Sequence, residues 1–139
     1  RNHRKKTAMI RFTVLFLSVF VATALAELPP SAYEKMQSTA PEVLKIHVLR
    51  VDVQPTEKKD TSEVTMLAEV VKVGRSKTKI KPSDMITVKY NVIARQAGWV
   101  GPGEVPILKD NAETVAYLAP AGEELEYAPA AGAMSFDRF

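Results

Sequence analysis

Cysteine is absent from all 139 residues. Its absence excludes disulfides, thiolate metal sites, a thiol nucleophile and the lipidated cysteine of a bacterial lipoprotein anchor. Histidine is nearly as scarce, with His3 close to the amino terminus and His47 the other. A lone strand histidine does not make a metal centre, and a serine triad would have to take His47 as its base. No Gly-x-Ser-x-Gly elbow exists, because Gly74-Arg75-Ser76 lacks the second glycine. Glycine numbers only six, three of them between Ala94 and Pro106. That glycine-rich stretch has no following Lys-Ser or Lys-Thr, so it is not a phosphate loop. Asp110 to Glu113 reads as a turn rather than a calcium loop, and Glu123-Glu124 as solvated charge beside another turn. No catalytic residue, metal ligand or cofactor is therefore nominated.

A long apolar run is also missing. The uncharged stretch Phe12 to Ala26 covers 15 residues, against about 20 for a helix that crosses a bilayer. What is present around it is a leader. Arg1, Arg4, Lys5, Lys6 and Arg11 precede the run, and Ala24-Leu25-Ala26 closes it with the small residues a signal peptidase accepts. Residues 1–26 thus read as a secretory signal peptide, with Met9 a possible true start and an uncleaved anchor the main rival. Removing 26 of 139 residues leaves 113, enough for one domain. Five of the 19 basic residues and none of the 16 acidic ones lie in the leader. The remainder carries 14 basic against 16 acidic side chains, so the basic character of the whole chain is no argument for nucleic acid. The expected location is secreted or periplasmic, with no stable membrane span after cleavage.

Residues 27–41 read as a short helical lead-in. Ser31 and Glu34 have capping-box spacing, Tyr33, Met36 and Ala40 share a face, and Pro41 ends the run. From Glu42 the period becomes two. Leu44, Ile46 and Val48 alternate with polar residues, and then Leu49, Val51 and Val53 take over the apolar phase. The second strand repeats the behaviour, with Val64, Met66, Ala68 and Val70 followed by Val71 and Val73. A slip of one residue inside a strand is the mark of a β-bulge, although strands buried on both faces would give a similar pattern. Ile86 to Val92 supplies a third strand and Thr114 to Ala119 a fourth. Leu125 to Phe136 supplies a fifth, broken by Pro129 and Gly132. Residues 42–139 are therefore expected to form a single, mainly all-β domain: a small five-stranded OB-like barrel, with a β-sandwich as the alternative.

The segments Ala68 to Gly74 and Ile86 to Tyr90, then Thr114 to Leu118 and Tyr127 to Gly132, resemble the netrin-like modules. That superfamily of OB barrels includes the tissue inhibitors of metalloproteinases, and the resemblance runs over roughly Val43 to Phe136. It implies the fold. It does not carry over inhibition, because those inhibitors are cross-linked by cysteines and ligate the protease zinc through an amino-terminal one. Here Glu27-Leu-Pro-Pro stands at the expected mature end.

Two surface features are candidate binding elements. Arg75, Lys77, Lys79 and Lys81 place a cation at every second position. In an extended chain such a ladder faces one way and suits an anionic glycan, an acidic protein or lipid headgroups, or else merely guards a sheet edge. Trp99 stands in the glycine-rich loop, where a large aromatic either caps the barrel or meets a partner. The expected function is a small exported barrel that binds an unknown protein or an anionic glycan. An oligomerising envelope protein and a subunit of a secreted hydrolase, with Glu104 or Asp110 at work, are the alternatives.

Overall fold

The computed structural model describes residues 28–95, 101 and 103–137. Residues 1–26, expected as a leader, and Trp99 lie outside the described residues. One compact unit takes in Pro29–Trp99 and Gly103–Phe139 and holds every described helix and strand. Its elements are helix α1 (Pro30–Thr39), strands β1 (Glu42–Pro55), β2 (Thr61–Ser76), β3 (Met85–Ile93), β4 (Glu113–Pro120) and β5 (Glu126–Pro129), a 3-10 turn at Gly132–Met134, and the two-residue strand β6 (Phe136–Asp137). No helix among the described residues is long and apolar enough to cross a membrane.

The strands pair in the order β1-β2-β3-β5-β4, and β4 returns to β1. Glu42 to His47 of β1 lie antiparallel to Leu118 to Glu113 of β4, which closes the barrel. β3 and β5 run parallel through Thr87–Glu126 and Val88–Tyr127. The short β6 adds to β4 beside Val115 and Ala116. A closed five-stranded barrel of this order is the OB-like architecture, not two facing sheets.

Closure depends on where the alternation slips. Val48 pairs with Ala68 but Arg50 with Leu67, so Leu49 is an extra residue on β1. Lys45 pairs with Lys72 but Ile46 with Val70, so Val71 is extra on β2, and Gly74 is extra in the same way. Leu49 and Val71, pushed out by the bulges, are exposed, whereas Val51 and Val73 beyond them pack against the core. Each bulge tightens the local twist and re-aims the strand, which lets two long strands serve both walls of a small barrel. The Gly74 bulge brings β1 so close that a Cβ there would sit 3.1 Å from the Val43 carbonyl oxygen.

The core gathers Leu44, Ile46, Val48, Met66, Ala68, Val70, Ile86, Val88, Ala116 and Leu118 from the four longest strands. Ile80, in the β2–β3 connection, is also buried in this core, as are Tyr127 and Phe136. α1 begins at Pro30 with Pro29 as its cap and no side-chain capping bond. Ser31 therefore lies inside the first turn and the expected capping box does not form. Proline supplies the fixed φ of a first helical residue, which moves the start two residues earlier, from Ala32 to Pro30. The helix docks through Gln37, whose Nε2 donates to the Met134 carbonyl at 2.9 Å.

Candidate functional site

Arg75 is spent on structure. Its Nε donates to the Ala40 carbonyl and its Nη2 to the Gln37 carbonyl, both at 2.9 Å. A guanidinium thus satisfies the orphan carbonyls at the end of α1 and ties the helix to β2. The remaining ladder does not form one straight row, because β2 ends at Ser76 and Lys79 turns to φ 60°. Lys77, Lys79 and Lys81 are exposed on the β2–β3 connection, with the Lys77 N–H bonded to Pro41 O and the Lys81 N–H to Asp84 Oδ2.

That connection covers a buried carboxylate. Glu42 points into the barrel in phase with Leu44 and Ile46 and is fully buried. Its Oε1 accepts from the Thr78 N–H at 3.0 Å and from Thr78 Oγ1 at 2.9 Å. The one hydroxyl hydrogen of Thr78 goes to the carboxylate, so the Tyr127 hydroxyl, 2.7 Å away, donates to Thr78. Glu42 Oε2 has no hydrogen-bond partner among the described residues. Burial pushes the Tyr127 phenol up, with the Thr78 bond pulling the other way. The alternation of β1 carries the only sequence signal for this network, since it puts an acidic residue on the inward face.

A concave site lies elsewhere, where the β1–β2 turn, the end of β3 and the segment 104–107 meet. Pro55, Thr56, Lys58, Lys59, Asp60, Val92, Ile93, Val105 and Ile107 line a groove of about 540 Å³. Each wall has a local cause. The turn is held by Thr56 N–H to Thr61 O and Thr61 N–H to Lys58 O, with Asp60 at φ 60°. Segment 104–107 is fixed by the Tyr90 hydroxyl, which donates to the Pro106 carbonyl at 2.7 Å. The Arg95–Glu104 ion pair at 2.8 Å ties the ends of the loop that carries Trp99 in the sequence. Tyr90 packs 6.1 Å from Phe136 between ring centres, and burial pushes its phenol up to about 12. Ile93 and Ile107 nevertheless remain 40% and 46% exposed, so the groove presents unsatisfied apolar surface on a pinned frame.

The other polar candidates have structural partners. Asp110 Oδ1 accepts the Val51 N–H at 3.0 Å, which clamps the β3–β4 connection to the edge of β1. His47 Nδ1 lies 3.5 Å from Glu113 on the half-exposed outer face. Glu126 receives the Glu123 N–H and pairs with Lys89 at 3.1 Å, and these two donors hold its carboxyl below the usual carboxylate range. Among the described residues no group of three His, Asp or Glu is placed to hold a metal ion. Comparison with protein-family models, with curated proteins and with solved structures finds no match.

Proposed function

We propose that this chain is an exported OB-like barrel that binds a partner rather than transforming a substrate, and that the groove between the β1–β2 turn and segment 104–107 is where it binds. The leader pattern in residues 1–26 supports export. The observation that carries the binding reading is the pairing of exposed Ile93 and Ile107 with a wall fixed by Tyr90–Pro106 and Arg95–Glu104. Apolar area left open on a preorganised frame favours binding, because little ordering entropy remains to be lost. The hydrolase alternative draws no support from Glu104 and Asp110, which are occupied by an ion pair and a backbone clamp.

An anionic glycan on Lys77, Lys79 and Lys81 is the second reading, favoured by their exposure. One experiment separates the two. A displayed random-peptide library and a sulfated-glycan array are screened against the full chain, against Ile107→Asp and against the triple Lys→Ala variant at 77, 79 and 81. The groove reading expects binders that weaken about tenfold or more on Ile107→Asp, the worth of one buried aliphatic side chain, and that ignore the lysines. Binders lost with the lysines and indifferent to Ile107 would overturn it.

A further inference from the structure

In β3 the even-numbered residues exchange bonds with β2, and the odd-numbered ones face the other way. The Thr87 N–H accordingly reaches Leu125 O at 3.0 Å on the β5 side, and the Ala94 N–H reaches Asp60 O at 2.8 Å on the β2 side. β5 accompanies β3 only through Thr87 and Val88, while β2 follows it to Ile93. The N–H and C=O of Asn91 and Ile93 consequently point away from the sheet with no partner among the described residues. These four backbone groups stand in the spacing of a strand ladder.

The comparable edge on β1 is blunted. Its Val51 N–H is taken by Asp110, and Pro55 has no N–H to offer. Among the described residues the β3 edge lacks such a guard at Asn91 and Ile93, and Ile93 belongs to the groove as well. Charge narrows the occupant further. Of the charged groove residues, Glu104 is paired with Arg95, which leaves Lys58 and Lys59 against Asp60.

We infer that the open edge of β3 takes an extended segment of a partner polypeptide as an added strand. Its alternate apolar side chains fill the groove beside Val92, Val105 and Ile107, and an acidic residue meets Lys58 and Lys59. In such strand addition, main-chain bonds supply affinity and alternating side chains supply specificity. The inference rests on the groove reading and adds the partner's chemistry and pairing mode.

The probe is a capped nine-residue peptide with valine at alternate positions, threonine between them and aspartate at both ends, titrated into the ¹⁵N-labelled full chain. Amide exchange at Asn91 and Ile93 is expected to slow at least tenfold, with shifts at Val105 and Ile107. Two N-methylated peptides, one methylated at odd and one at even residues, separate pairing from simple apolar contact. One set is expected to bind at least tenfold more weakly and the other to bind normally, since only alternate N–H groups of an added strand face β3. Replacing aspartate by lysine is expected to weaken binding several-fold, and more so at low salt. Equal binding of both N-methylated sets, with shifts at Ile107 but unchanged exchange at Asn91 and Ile93, would overturn strand addition and leave the groove standing. No perturbation at any groove residue, by this probe or by peptides from the library screen, would overturn both.

Discussion

Glu42 occupies an inward position of β1 where Leu44 and Ile46 are its phase-mates. A buried carboxylate is tolerated only with donors, and Thr78 supplies two of them from the β2–β3 connection, which Ile80 anchors in the core. Thr78→Ala removes the hydroxyl donor and strands the Tyr127 hydroxyl. It is expected to cost about 1–3 kcal/mol in urea unfolding, and a change within error would mean that the network contributes nothing. Tyr90 sets a pH limit on stability. Its phenol is raised from 10.0 to about 12 by burial, so the folded state keeps the proton that the unfolded chain gives up. The resulting stability is complete below pH 10 and is lost as pH rises toward 12. Tyr90→Phe is expected to flatten that alkaline decline in thermal unfolding, at a cost near neutrality of about 0.5–1.5 kcal/mol for the lost bond to Pro106. An equally steep decline in the variant would assign the pH limit elsewhere.

Among the elements, the bulges do the shaping. The changes of apolar phase at Val48–Leu49 and Val70–Val71 are legible in the sequence because each moves the inward face by one residue, and both are bulges in the folded strands. The Gly74 bulge leaves no such trace, since glycine has no phase. Deleting Leu49 would keep the Val48–Ala68, Arg50–Leu67 and Val51–Met66 pairs and remove only the extra residue that tightens the twist of β1. The straightened strand would strain its core contacts at an expected cost of about 1–3 kcal/mol, and a deletion variant as stable as the parent in denaturant would show that closure does not depend on the bulge. Gly74→Ala is expected to destabilise by about 1 kcal/mol, although the change usually stabilises by restricting the unfolded chain, because the Val43 carbonyl stands in the way. The cation ladder departs from a straight row for a local reason: strict alternation assumes extended backbone, and φ at Lys79 is positive. The start of α1 departs from the capping-box position because proline at the first helical residue outweighs the Ser31–Glu34 pattern.

For the whole molecule, the five barrel strands and the barrel class follow from periodicity, whereas the split of the last segment into β5, a 3-10 turn and the added β6 does not. The β4–β1 closure and the parallel β3–β5 pairing do not follow from it either, because long-range partners leave no mark in either strand's own pattern. The groove is hidden in the sequence for the same reason, as it draws on 55–62, 92–94 and 104–107. Export has its own check: intact-mass analysis of the secreted product is expected to give an amino terminus at Glu27, and retention of Phe12 to Ala26 would contradict cleavage. The most direct measurement is residue-resolved hydrogen exchange on the free full chain. The closing strands, Leu44 to Ile46 and Thr114 to Leu118, are expected to exchange slowest, while Asn91 and Ile93 exchange orders of magnitude faster than their neighbours Tyr90 and Val92. If Asn91 and Ile93 are as protected as those neighbours, the edge is already covered and the barrel has no strand to offer a partner.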